Sequence, residues 1–296
     1  MRKIISILLV LLACLTTACS KQPAKSAEMS EQERTNRAIF DSVYSLVKGD
    51  TQSPMQQLVT NIAQQFLETD YVASTLEEEP EELRVFLDKT DCILFVELCS
   101  SFALTTKGLR IVQAGDGKHF RLNPKPSVER AEPSYELLCD NIRNMRYRIG
   151  NVEDYASRIH YTSEWILQNQ TNGILREYSA ELGEEFEQKF YFMSTHRDNY
   201  KQLADSMQLM KIQAVENHLN EQKPFYFISQ DRLRQPEIIS QIQSGDIVCF
   251  MSKQGNGIDI AHVAIAFAVD GEMHFIHASY GAKKVKIEEK TLAKNI

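Results

Sequence analysis

The chain has 296 residues, of which 43% are hydrophobic and 25% charged. That is enough apolar material for one large or two small cores, and it excludes a disordered or collagen-like chain. The formal net charge of −7, about −9 once Arg2 and Lys3 are set aside with a signal segment, argues against nucleic acid as a partner, because phosphates select basic surfaces. Six scattered cysteines without a C-x-x-C pair exclude a disulfide scaffold and a structural zinc site.

The chain opens with an address. Met1-Arg2-Lys3 is a short cationic start, Ile4–Leu12 is an apolar segment too short to span a bilayer, and small residues follow. Leu15-Thr16-Thr17-Ala18-Cys19-Ser20 is similar to a lipoprotein cleavage site, with Thr16 where leucine is usual. Leu11-Leu12-Ala13-Cys14 is the weaker alternative. The expectation is a signal peptide over 1–18, lipidation at Cys19, a Lys-, Gln-, Ser- and Glu-rich tether over 19–35, and a single catalytic domain over 36–296. Such a chain sits in a bacterial cell envelope, as a periplasmic or outer-membrane lipoprotein held to the membrane by its lipid.

Ile39, Val43 and Leu46 recur at helical spacing before Gly49, and Leu58, Ile62 and Phe66 do so after Ser53-Pro54, which predicts two amphipathic helices. Glu77-Glu78-Glu79-Pro80-Glu81-Glu82 reads as a solvated loop. The stretch from about Tyr135 to Gln222 reads as helix-rich, with Leu203, Met207, Met210 and Ala214 as packing positions. The period then changes. Ile247–Met251, Val263–Val269 and Met273–Ser279 read as strands, the last two joined by the turn pair Asp270-Gly271. Helices first and a β-meander last imply an α+β protein.

The chemistry gathers at two places. Thr90-Asp91 supplies capping side chains before a helix whose face carries Cys92, Phe95, Cys99 and Phe102, so Cys92 falls in the first turn. Helix-start N–H groups there lower a thiol pKa and offer donors to an oxyanion. If Asp270-Gly271 is a two-residue turn, Val269 faces Glu272, Ala264 faces His277 and His262 faces Ser279, which puts His262 and His277 on one face as diagonal neighbours and His274 on the other. A capped cysteine with two histidines suggests a nucleophile, a base and an orienting residue. The active form expected from this is a thiolate and imidazolium pair. Buried structural cysteine and core histidines are the alternative reading. A metallohydrolase using His262, His277 and Asp259 is another, though the histidines lack the i, i+4 pairing of zinc helices.

These residues carry a resemblance. Tyr71, Asp91-Cys92, His262-Val263-Ala264-Ile265 and His277-Ala278-Ser279 in that order resemble the papain-like cell-wall cysteine hydrolases of the NlpC type, in which a helix-borne cysteine packs on a small antiparallel β-barrel. The strings Thr90–Glu97, Arg158–Trp165 and Asp259–Val263 resemble the branch linked to N-acetylmuramoyl-L-alanine amidase activity, over about Asn36 to the end. The resemblance implies Cys92 as nucleophile, His262 as general base and then acid, and His277 as its orienter. It implies a substrate wall of Tyr71, Tyr161 and Ser279, with Arg146 and Arg148, in the basic cluster with Arg143, binding substrate carboxylates. It also implies no cofactor or metal, and one more strand closing the barrel.

The expected substrate is peptidoglycan or its muropeptide fragments. The bond is the amide between the muramic lactyl group and L-alanine, with the γ-D-glutamyl to diamino acid bond, or binding without catalysis, as alternatives. Around Tyr71 the family usually carries Gly and Pro, where this chain has Glu68, Asp70 and Ser74.

Overall fold

The computed structural model describes residues 29–121, 125–222, 224–252 and 256–294. The signal segment, Cys14 and Cys19 lie outside the described residues. The helices are α1 (Glu31–Val47), α2 (Met55–Gln65), α3 (Cys92–Thr106), α4 (Tyr135–Arg146), α5 (Thr162–Thr171), the single turns α6 (Ser179–Leu182) and α7 (Phe192–Thr195), α8 (Ser206–Glu221), and the single turns α9 (Gln230–Leu233) and α10 (Pro236–Ile239). The strands are β1 (Asp70–Tyr71), β2 (Lys89–Thr90), β3 (Leu109–Ile111), β4 (Val128–Arg130), β5 (Glu184–Phe186), β6 (Phe225–Phe227), β7 (Ile247–Met251), β8 (Ile260–Val269), β9 (Glu272–Ser279) and β10 (Lys284–Ile287).

Six strands form a curled half-barrel in the order β2-β1-β10-β9-β8-β7, antiparallel except for β1 with β2. The sheet is open, with β2 and β7 at its edges, rather than a closed barrel. Asp270 and Gly271 take φ of 51° and 83°, the left-handed pair that a tight two-residue hairpin turn demands. Val269 pairs with Glu272 as the turn requires, and the register holds to Ile265 with Ile276. β10, which the sequence reading missed, extends the sheet by pairing Lys286 with His277.

α3 packs against α2, α4, β8 and β9, and its apolar residues join Leu58, Ile62, Ile142, Val263, Ile276 and Val285 in the main core. A satellite core under α8 gathers Tyr155, Tyr161, Phe190, Met193, Leu203, Ile212 and Leu219.

Several expectations shift. α1 starts at Glu31, capped by Ser30, whose hydroxyl accepts the Glu33 N–H, so residues 31–35, expected within the tether, are helical, and the charged first turn hides their periodicity; residues 19–28 lie outside the described residues. The buried stripe of α1 is Asn36, Phe40, Val43 and Val47, leaving Leu46 65% exposed. Met207 and Met210 are 58% and 62% exposed, and Ala214 is exposed as well, because α8 docks along the narrow stripe of Ile212, Glu216 and Leu219. The acidic run is not wholly solvated: Glu81 turns inward to accept from Arg158 and from the Tyr147 hydroxyl, and Glu77 also pairs with Arg158.

Candidate active site

Asp91 caps α3 as predicted, its carboxylate accepting the Leu94 N–H at 3.0 Å. This fixes Cys92 at the first helical position, half-buried and free; Cys139 and Cys249 are likewise free and half-buried, and Cys99 is free and buried. The Cys92 sulfur faces the N–H groups of Val263, Ile93 and its own residue. Those donors favour a thiolate, yet burial pushes the thiol above its ordinary value and the neighbouring Asp91 adds to the push. The pKa-lowering expected from the helix start is therefore outweighed.

Just past the last β8–β9 pair the two histidines meet, His262 Nε2 lying 2.8 Å from His277 Nδ1 with the rings nearly perpendicular at 84°. Phe250 and Phe275 flank them. Burial lowers the His262 pKa to about 4, with His277 contributing, and burial lowers His277 as well. These shifts favour a neutral thiol and neutral imidazoles over the expected thiolate and imidazolium pair.

Behind His277 stands a residue that sequence reasoning missed. Glu288 Oε2 is 3.5 Å from His277 Nε2, a buried nitrogen with no hydrogen bond. Burial would raise Glu288, but the Lys290 N–H and Lys286 hold it below its ordinary value. His274 faces away, bonded to the Glu288 carbonyl.

Tyr71 lies beside the thiol. Burial pushes its phenol up to about 12, with Cys92 and then Asp91 adding to the shift. β1 pairs Tyr71 with Thr90, two residues before Cys92, which places the ring there. Glu68 and Ser74 adopt left-handed φ of 71° and 61°, a region that favours glycine.

Other predicted substrate contacts are placed elsewhere. Arg146 is 5% exposed, its Nε on Glu97 at 2.8 Å and its Nη1 on the Arg84 carbonyl. It supports α3 from beneath, opposes the upward push that burial gives the Asp91 carboxyl, and offers nothing to solute. Arg148 is spent on Glu164 and the Ala156 carbonyl. Arg143 pairs with Asp140 at the surface. Tyr161 is 2% exposed, donating to Glu216 and accepting the Met193 N–H within the satellite core. Ser279 accepts the Ala282 N–H and so ties the loop that follows β9. Asp259 is buried and accepts the Ser163 N–H, and among the described residues no three of His, Cys, Asp or Glu are grouped to hold a metal ion.

Comparison with known proteins gives this geometry a family. The sequence model of the N-acetylmuramoyl-L-alanine amidase-like proteins matches residues 61–296. Two crystal structures of an N-acetylmuramoyl-L-alanine amidase from Bacteroides uniformis superpose with TM-scores of 0.68 and 0.67 at 28% and 29% identity, each covering 81% of this chain and 91% of its own. A protein from Legionella pneumophila shares the fold alone, at a TM-score of 0.60 and 18% identity, covering 88% of this chain and 89% of its own. No curated protein matches by sequence. With the family model spanning most of the chain and every strand of the half-barrel, this chain belongs to the N-acetylmuramoyl-L-alanine amidase-like family of peptidoglycan hydrolases.

Proposed function

We propose that this protein is a cysteine amidase of the papain-like, NlpC type, cutting the amide between the muramic lactyl group and L-alanine. The contact of His262 Nε2 with His277 Nδ1, at 2.8 Å beside the start of α3, carries the reading. That contact consumes one nitrogen of His262 and leaves Nδ1 as the base. For Nδ1 to accept a proton, Nε2 must carry the hydrogen and donate to His277 Nδ1, so His277 must hold its own hydrogen on Nε2. That hydrogen points toward the Glu288 carboxylate, which favours this tautomer over the reverse one.

The thiol proton of Cys92 passes to His262 as sulfur attacks the lactyl carbonyl. The oxyanion is taken by N–H groups at the helix start, with the Tyr71 hydroxyl beside them. The C–N bond then breaks, His262 returns the proton to the leaving amine of L-alanine, and water, deprotonated by His262, hydrolyses the thioester. Neutral reactants suit this sequence, since charge separates only in the transition state, where the site's donors meet it. We further propose attachment to the cell envelope through a lipid on Cys19, tested by fatty-acid labelling of wild type against Cys19→Ala.

Mass spectrometry of products from a defined muramoyl tripeptide tests the reaction. The expected products are free N-acetylmuramic acid and tripeptide; release of the diamino acid instead overturns the bond assignment. Loss of turnover after iodoacetamide at Cys92, with a chelator having no effect, is the outcome the cysteine mechanism requires.

A further inference from the structure

The loop between β9 and β10 holds groups that this chemistry does not use. Ser279 pairs with Lys284, so Tyr280, Gly281, Ala282 and Lys283 form the loop, tied by the Ala282 N–H donating to Ser279 Oγ at 3.2 Å. Lys283 adopts φ of 59°, a left-handed conformation that is unfavourable for a residue with a side chain. Its carbonyl accepts the Tyr71 N–H at 2.9 Å. Its ammonium is thereby held 3.5 Å from the Tyr280 ring centroid and 5.7 Å from that of Tyr71, and the two rings meet edge to face at 5.6 Å. Lys284 and Lys286 are matched by Glu68 and Glu288; among the described residues Lys283 has no carboxylate partner, and Tyr280 is 68% exposed. Tyr71 locates the group, because its hydroxyl lies within electrostatic reach of Cys92 and also of Tyr280.

In a chain of net charge −7, an ammonium over two rings, one of them the Tyr71 ring beside the thiol, and without a carboxylate partner among the described residues, is arranged to receive an anion. We propose that Lys283, oriented by Tyr280, is a carboxylate subsite for the leaving peptide, taking the free α-carboxylate that a γ-linked D-glutamate carries one residue beyond the L-alanine. That carboxylate lies two residues from the scissile bond, about 7 Å along an extended chain, a span bridged here by the single side chain of Tyr71. The assignment rests on the amidase reading, which fixes which side of the bond the peptide occupies.

The test compares kcat/KM for a muramoyl tripeptide bearing D-glutamate with the same peptide bearing D-isoglutamine, equal in size but without the charge. Wild type is expected to favour the carboxylate about tenfold, the scale of one charge-assisted hydrogen bond open to solvent, through KM and less so at high salt. Lys283→Gln should bring the ratio close to one, Lys283→Arg should keep it, and Tyr280→Ala should reduce it. Equal use of both peptides by wild type, or an undiminished ratio in Lys283→Gln, overturns the subsite. Product mass separates the two ideas: cleavage elsewhere refutes the amidase reading, whereas the expected cleavage without discrimination refutes only the subsite. Should no peptide be cut, the ratio of Kd values measured calorimetrically on Cys92→Ala decides in the same way.

Discussion

His262 Nε2 and His277 Nδ1 lie 2.8 Å apart, so one shared hydrogen ties the protonation of each ring to that of the other. In the proposed mechanism, a proton that His262 takes from Cys92 is stabilised through His277, so that the two rings act as one unit. His262→Ala should lower kcat by several orders of magnitude, comparable with Cys92→Ala, because base and acid are lost together. Circular dichroism and thermal melts should show both variants folded. Substantial turnover by Cys92→Ala would end the cysteine mechanism.

Glu288→Gln is expected to slow hydrolysis about tenfold, and His277→Gln by ten- to a hundredfold, with KM little changed. The diagnostic measurement is nitrogen NMR of the histidine rings, where Glu288→Gln should increase the His277 population protonated at Nδ1. Slower turnover without a tautomer shift would make Glu288 merely structural.

The pH dependence follows from where the single active proton resides. Thiol with imidazole and thiolate with imidazolium hold the same number of protons, so kcat/KM rises when the pair loses its second proton and falls when it loses its last. With His262 lowered to about 4 and Cys92 raised by burial, the rise should come near pH 4 and the fall above the ordinary thiol range, leaving a broad plateau. A rise near pH 7 would show that burial does not set the histidine. Stability should respond as well: a histidine depressed in the folded state takes its proton first in the unfolded chain. Folding free energy should therefore be lost as pH drops from about 6.5 to about 4, read by denaturant melts.

Arg146→Ala should destabilise by about 3 to 5 kcal/mol, because it strands the buried Glu97 carboxylate. The double variant Arg146→Met, Glu97→Gln should recover much of that loss. Urea titrations measure both. A rise in KM at unchanged stability would restore the substrate-binding role that the sequence alone suggests.

What the sequence revealed about the site was governed by short-range rules. An aspartate cap placed Cys92, and a two-residue turn with obligatory left-handed φ set the register that brings the histidines together. The errors share a different origin. Arg146, Arg148 and Tyr161 have the same local signature whether solvated or buried, and their partners Glu97, Glu164 and Glu216 come from other elements. Glu288 bears no spacing relation to His277; it directly follows β10, whose four residues alternate Lys284 and Lys286 with Val285 and Ile287 but form too short a run to stand out as a strand. The thiol pKa failed for the same reason, since the helix start is local while the burial that outweighs it is tertiary.

Cys92 opens α3, whereas His262, His277 and Glu288 arrive with the last three strands of the sheet. A ribosome emits the sulfur long before any group that can take its proton. During synthesis the cysteine is thus an ordinary thiol on an unfinished helix. Hydrolytic competence, on this reading, is acquired last, when β8 to β10 close over the helix start, a form of latency that needs neither a propeptide nor an inhibitor.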